Sequence, residues 1–195
     1  MLDTILTQRN VNVNMKITGK ALVTLAVTVM AVLLPQLVHM ALGQPGGVKW
    51  LPMYLPVLVG GCLLGTGWGF AAGLLSPLAS FFVTSALGLD PMPAAARLPF
   101  MMAELAVFAV VSGLFSKKIA KNSLWAFLAV ISAQTAGRGI FLASVALFSK
   151  GTPFTVPMIW GQIKTGFTGL ALQAVLAPVI IIALKKCLIK GENND

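Results

Sequence analysis

The chain has 195 residues, of which 57% are apolar and only 10% are charged, with 14 Lys and Arg against 5 Asp and Glu. An ordinary soluble domain carries about 25% charged residues, so this composition excludes a water-soluble fold and a disordered chain. Two cysteines do not form a disulfide scaffold, and one histidine with five carboxylates offers little for a metal centre. We therefore expect an all-α integral membrane protein, with one domain over residues 1–195 and no bound metal.

Apolar stretches predict six transmembrane helices in one bundle. Each crossing needs about 20 apolar residues, and a helix satisfies its own backbone hydrogen bonds in lipid. In chain order, the predicted spans are 17–41, 52–64, 68–87, 99–115, 124–148 and 157–188. The turn Gly65-Thr66-Gly67 separates the second span from the third, and residues 1–16 and 189–195 are left as cytoplasmic tails. The first span is too long for a cleaved signal peptide and has polar Gln36 and His39 near its end.

The cations are distributed unevenly over the connections between the spans. Positive residues mark the cytoplasmic side of a membrane protein. Nine cations fall on one predicted side: Arg9, Lys16, Lys20, Lys117, Lys118, Lys121, Lys185, Lys186 and Lys190. Only Lys49, Arg97 and Lys150 fall in the opposite loops. Both termini of this multi-pass membrane protein are therefore predicted to be cytoplasmic. Anionic lipid headgroups balance the net charge of +9, so no nucleic-acid partner is required.

The connections on the predicted outer side are rich in glycine and proline, at 43–47, 88–93 and 150–153. Proline fixes φ and lowers the entropy cost of ordering a loop. Shaped, semi-rigid loops of this kind favour a lid over an outward-facing pocket.

Three ionisable residues lie inside the predicted spans at similar depth in the outer half: Glu104, Arg138 and Lys164. Charges in a membrane are costly, so each is a candidate functional residue. Two cations and one anion suit a ligand with a negative or polar group. Two structural alternatives remain: Glu104 pairs with Arg138 to tie two spans together, and Lys164 extends to the headgroups.

Helical spacing adds neighbours to these charges. Met101 and Phe108 share a face with Glu104, and Gln134 shares one with Arg138. On the sixth span, Lys164 and Thr168 lie opposite a stripe of Gln162, Gly166, Gly169 and Gln173, which we expect to pack against a neighbouring helix. The predicted substrate-binding set is Trp50, Met101, Glu104, Phe108, Gln134, Arg138, Trp160, Lys164 and Thr168.

Two further patterns bear on function. Gly61, Gly65, Gly69 and Gly73 recur at four-residue intervals, which predicts close helix packing. The sequence contains no Gly-x-x-x-x-Gly-Lys-Ser/Thr loop and no nucleophile with a base, so we expect no catalytic residues and no ATP hydrolysis by this chain.

Residues 53–118 carry a resemblance to a known family. The segments are MYLPVLVGG at 53–61, LG at 64–65, WG at 68–69, GLLSPL at 73–78, PFMMAELA at 99–106 and GL at 113–114. This pattern resembles the substrate-specificity (S) component of energy-coupling factor vitamin transporters. The resemblance implies a multi-pass subunit of a prokaryotic plasma membrane that binds a vitamin with high affinity in an outward cavity. It also implies a membrane coupling subunit and two ATPase subunits as partners.

The resemblance implies a vitamin as substrate, not as cofactor, and favours cobalamin. Pantothenate and other small anionic vitamins are alternatives, and a stand-alone secondary carrier or small channel is the alternative from another class.

Members of the family often dock through Ala-x-x-x-Ala on the first span. Here the alanines are five residues apart, and the nearest four-spaced pair is Thr24 and Thr28. The predicted docking face is Ala21, Thr24, Thr28 and Ala31.

Overall fold

The computed structural model describes residues 1–8, 12–148 and 153–190, and every regular element in these ranges is helical. The helices are α1 (Leu2–Gln8), α2 (Val13–Trp50), α3 (Tyr54–Leu64), α4 (Thr66–Ala86), α5 (Leu98–Leu114), α6 (Ser116–Lys121), α7 (Trp125–Phe148) and α8 (Val156–Lys190). A 3-10 turn, Ala95–Arg97, precedes α5.

Six stretches within the described ranges are long and apolar enough to cross a membrane. They are Val13–Gly43, Pro45–Leu64, Thr66–Ala86, Ala95–Leu114, Trp125–Phe148 and Val156–Leu188. The predicted all-α fold is confirmed for the described residues, and it includes six helical stretches with the length and apolar composition of a membrane span. Five of the six predicted spans agree with these bounds to within four residues.

The second span differs from the prediction, because it begins at Pro45 and not at residue 52. The expectation of a glycine- and proline-rich loop at 43–47 is wrong, because only Gly43 in this segment departs from helical geometry, at φ 68° and ψ −174°. Helix then resumes through Trp50, since proline is tolerated in the first turn of a helix. A second break follows at Leu51, whose φ is 49°, before α3 begins at Tyr54.

The glycines of α3 and α4 pack against the backbone of α5, and the predicted close approach is confirmed. A Cβ added at Gly73 would lie 2.6 Å from the Leu105 carbonyl oxygen, and one at Gly61 would lie 2.6 Å from that of Ala109. Gly65 ends α3 with φ 82°, a conformation that favours glycine, and the chain enters α4 directly. This packing fixes α5 in the middle of the bundle.

Most of the described lysines gather at one end of the bundle, here called the lysine-rich end, and the exceptions are Lys49 and Lys164. Lys185 near the end of α8 donates hydrogen bonds to the Ile119 carbonyl at 3.0 Å and to the Ser123 hydroxyl at 3.2 Å. Lys118 lies 4.5 Å from the centre of the Trp125 ring. The other end, here called the proline-rich end, holds residues 43–53, 88–97 and 153–157.

The predicted N-terminal tail is partly helical. Leu2 and Ile5 of α1 are buried at the lysine-rich end, and Asp3 pairs with Lys20 of α2 at 2.7 Å. The hydrogen bond from Lys20 holds the pKa of Asp3 below its ordinary value. At the other terminus, α8 continues through Lys190. The cation Arg9, the predicted loop 150–153 apart from Pro153, and residues 191–195 lie outside the described residues.

Candidate functional site

Three buried polar side chains, from three different helices, meet inside the bundle. The Tyr54 hydroxyl donates a hydrogen bond of 2.7 Å to Glu104 Oε2, and Arg138 Nη1 lies 2.9 Å from Glu104 Oε1. Glu104 is fully buried and Arg138 is 7% exposed. The structure therefore contains the Glu104–Arg138 pair considered from the sequence, and Tyr54 is a third member that the sequence argument missed. We call these three residues the buried triad.

Aromatic packing holds the buried triad in place. The Tyr54 and Phe108 rings lie 5.0 Å apart between centroids, and Arg138 Cζ lies 4.9 Å from the centre of the Tyr54 ring. Gly137 allows α7 to approach, because a Cβ there would lie 2.1 Å from the Phe108 ring. Phe108, which was predicted to contact ligand, is therefore a fully buried packing residue.

Arg138 keeps unused hydrogen-bonding capacity. Its Nε and Nη2 atoms are buried and have no hydrogen-bond partner among the described residues. Its charge is balanced by Glu104, so the pair is neutral as a unit. A buried guanidinium with free donors can accept a further polar partner without breaking its ion pair.

A cavity of about 290 Å³ lies at the proline-rich end. Its walls come from Pro35 and His39 of α2, from residues 47–48 and 51–54, from the loop 90–94, and from Arg97 and Met101. We call it the loop-lined cavity. Met101 was predicted to contact ligand and lines this cavity, and Tyr54 joins the cavity to the buried triad.

The loop 88–94, here called the proline loop, forms one wall of the loop-lined cavity. The Met92 amide donates to the Thr84 hydroxyl at 3.0 Å, and Gln36 Nε2 lies 3.8 Å from Met92 Sδ. These contacts tie the loop to α4 and α2. Together with Pro91 and Pro93, they give the cavity a defined wall, as the proline content predicted.

A second opening, the α7/α8 groove, has a volume of about 510 Å³. Gln134, Arg138 and Trp160 from the predicted binding set line it, and Phe167 on its border is 67% exposed. Gln134 Nε2 donates to the Leu170 carbonyl at 3.1 Å, which ties α7 to α8. Four of the nine predicted binding residues thus line one of the two openings: Met101 lines the loop-lined cavity, and Gln134, Arg138 and Trp160 line the groove. The buried triad lies between the two openings.

The expectation that Lys164 and Thr168 face a pocket is wrong. Both are exposed on α8 and line neither opening. They face outward because the opposite face of α8 packs inward: Gly169 on that face lies against the backbone of Lys49 and Trp50. The glycine stripe on the sixth span therefore packs as expected and turns Lys164 outward, where its Nζ lies 6.0 Å from the Trp160 ring.

Trp50, another residue of the predicted binding set, bonds to α8 through its backbone carbonyl. Gln173 Nε2 donates to the carbonyl oxygens of Trp50 at 3.0 Å and of Leu51 at 2.9 Å. The Trp50 side chain is partly buried and stacks near Lys49, whose Nζ lies 5.6 Å from the ring. It lines neither opening.

The predicted docking face also needs correction. Thr24 is 6% exposed and Ala31 is fully buried within the chain, while Ala21 is exposed. The hydroxyl of Thr28 donates to the Thr24 carbonyl at 3.0 Å, so it is satisfied within its own helix. Val27, on the same face, packs against Gly60 of α3. Thr24 and Ala31 therefore serve packing inside this chain, because small side chains let α2 approach its neighbours closely.

Arg97, Asp90 and His39 are polar residues of the loop-lined cavity that were not predicted as binding residues. Arg97 was counted only as a loop cation and His39 only as a helix-end residue. One signal was present for Tyr54, since it is the only tyrosine of the chain and stands inside an apolar run.

Comparisons with protein-family models, with curated proteins and with solved structures give no match to this chain.

Proposed function

We propose that the chain is a vitamin-binding subunit of an energy-coupling factor importer, with the loop-lined cavity as its binding site. The observation that carries the proposal is this cavity: it lies at the end of a six-helix bundle, has a wall formed by a proline loop, and combines apolar walls with a few polar groups. Small-molecule sites have this mixture.

The location of the resembling residues supports the proposal. They form α3, α4 and α5, where the glycine contacts fix the bundle, and they include Tyr54, Met101 and Glu104. The buried triad then gives the inner wall of the cavity a rigid support. The remaining walls come from α2, from residues 51–53 and from the proline loop. Loop segments are the elements that differ most readily between proteins with different ligands.

We place the lysine-rich end in the cytoplasm, following the bias of positive charge. The loop-lined cavity then faces outward, and both tails face inward. In this orientation the chain captures a vitamin from outside, and a membrane coupling subunit with two ATPase subunits supplies the energy.

The cavity volume favours a small vitamin over cobalamin. A corrin macrocycle with its nucleotide is several times larger than about 290 Å³. A molecule of the size of pantothenate suits this volume. We therefore propose the smaller vitamins as ligands in preference to the cobalamin suggested by the sequence resemblance.

Reconstitution in liposomes tests the class of transporter. The chain is inserted alone or with the coupling subunit and ATPases, and labelled vitamins are offered with and without ATP. Uptake that requires both partners and ATP supports the proposal. Concentrative uptake by the chain alone would identify a stand-alone carrier, and rapid equilibration of unrelated solutes would identify a channel.

A further inference from the structure

Arg97 is the one cationic side chain among the described residues that line the loop-lined cavity. The ion pairs in the described part of the chain are Lys20 with Asp3 and Arg138 with Glu104, so Arg97 has no carboxylate partner there. Its Nε atom is buried and has no hydrogen-bond partner among those residues. Leaving a buried donor without a partner costs free energy, so an acceptor supplied from outside the chain would stabilise this guanidinium.

The position of Arg97 is fixed before any ligand binds. Its backbone amide donates to the Ala94 carbonyl at 2.8 Å in the 3-10 turn, and its Cζ lies 5.5 Å from the ring of buried Phe141. A cation held near an aromatic ring is confined without losing its N–H donors. The planar guanidinium of an arginine carries a fork of N–H donors, and a carboxylate matches this fork with two parallel hydrogen bonds.

The other lining groups describe the rest of the ligand. Pro35, Leu51 and Met53 form apolar walls, which suit a carbon skeleton better than a hydrated inorganic anion. Asp90 also lines the cavity and has no described cationic partner within 4.0 Å. A carboxylate at this position accepts hydrogen bonds from hydroxyl or amide groups.

We infer that the loop-lined cavity selects small organic carboxylates, with Arg97 binding the carboxylate and Asp90 accepting hydrogen bonds from hydroxyl or amide groups of the same ligand. This inference rests on the proposed function, because it takes the loop-lined cavity as the ligand site. It adds the chemical class of the substrate and the residue that determines it.

Matched ligand pairs test this selection on the purified full chain in detergent. Each pair keeps the skeleton and removes the charge: pantothenate with panthenol, biotin with biotinamide, and nicotinate with nicotinamide. Isothermal titration gives the Kd of each, in the presence and absence of excess phosphate. We expect one carboxylate to bind at least about tenfold more tightly than its neutral partner, since a charge-assisted pair contributes at least this much.

Two variants connect the preference to Arg97. Arg97→Gln is expected to remove the preference, so that the charged and neutral members bind within about threefold of each other, and Arg97→Lys is expected to retain part of it. Lys49→Gln is the matched control, because Lys49 is an exposed cation at the same end that does not line the cavity. It should keep the wild-type preference. If Arg97→Gln fails to fold, the matched ligand pairs are compared between the wild type and Arg97→Lys. A preference for the carboxylate that Arg97→Lys leaves unchanged would then contradict the role of Arg97.

The outcomes separate this inference from the proposed function. Binding of a neutral vitamin, or of both members of a pair equally, contradicts the role of Arg97 and leaves the importer proposal standing. Displacement by phosphate at equal affinity also contradicts it, because the site would then select any anion. Carboxylate selection without partner-dependent uptake in liposomes would confirm the ligand class and contradict the importer.

Discussion

Tyr54 and Glu104 are 50 positions apart in the sequence and are joined by a buried hydrogen bond of 2.7 Å. Through this bond, one wall of the loop-lined cavity connects to the Glu104–Arg138 ion pair, and Arg138 in turn lines the α7/α8 groove. Three side chains from α3, α5 and α7 thus link the two openings. Displacement of Tyr54 by a ligand would change the environment of a buried charge pair.

The hydroxyl of Tyr54 is expected to stabilise the folded chain. Tyr54→Phe leaves Glu104 Oε2 buried without this donor, which costs about 1–3 kcal/mol. Thermal unfolding in detergent should therefore occur at a lower temperature. Thr165→Val is the control, because Thr165 is exposed and its hydroxyl donates to the Gly161 carbonyl of its own helix. Equal stability of Tyr54→Phe and the wild type would mean that this hydrogen bond contributes nothing.

Glu104 and Arg138 should show strong energetic coupling. Glu104→Gln and Arg138→Gln each leave one buried charge uncompensated, at a cost of about 3–5 kcal/mol. The double variant removes both charges and should lose much less than the sum of the two. A double-mutant cycle of unfolding free energies measures the difference, and simple additivity would contradict the pairing.

The same double variant tests the ligand role predicted for this pair from the sequence. Glu104 is fully buried and does not line either opening, so we expect its effect on ligand binding to be indirect. If the double variant folds and binds the vitamin with unchanged affinity, the pair is structural. A loss of affinity with retained stability would instead place the pair in ligand capture.

Close contact between α4 and α5 is expected to depend on Gly73. Gly73→Ala places a Cβ 2.6 Å from the Leu105 carbonyl oxygen, and overpacking of this kind costs about 1–3 kcal/mol. Gly67→Ala in the same helix is the matched control, because nothing lies within 4 Å of its Cβ position. We expect Gly67→Ala to be neutral or slightly stabilising, since alanine favours helix. Similar unfolding temperatures for the two variants would contradict the tight packing.

The corrected role of α2 gives another test. Thr24→Leu should destabilise the isolated chain, because Thr24 is buried within it, whereas Ala26→Leu on the exposed side should not. Unfolding temperature and capture of the coupling subunit are measured for both. If Thr24→Leu keeps full stability and loses only the coupling subunit, then this face is a docking surface after all.

Sequence patterns were sufficient to predict the positions of the helices along the chain. They were insufficient to predict which face of each helix points into the bundle. Apolar length predicted the six spans, and glycine spacing predicted close packing of α4 and α8 without indicating the partner helices. The face of Lys164 could not be inferred, because two opposite stripes of α8 were both plausible and only the packing of Gly169 on Trp50 decided between them. The helical stretch after Gly43 was missed because glycine and proline usually signal a loop.

Polar residues in loops were the hardest to assign. Arg97 and Asp90 lie seven positions apart in a proline-rich connection, and nothing in their spacing indicates that both line one cavity with His39 of α2. Such a site depends on how three separate segments fold over one another. Of the three charges singled out inside apolar spans, Glu104 and Arg138 do form a buried pair, whereas Lys164 is exposed and lines neither opening.

The central claim is that the isolated chain binds one small vitamin in the loop-lined cavity. Native mass spectrometry of the purified protein, incubated with a panel of vitamins that includes cobalamin, measures this directly. The wild type should bind a single small vitamin at one copy per chain. Ala94→Trp, which places a large ring at the wall of the cavity, should lose it while folding normally. Binding of no vitamin, or equal binding by Ala94→Trp and the wild type, would contradict the account.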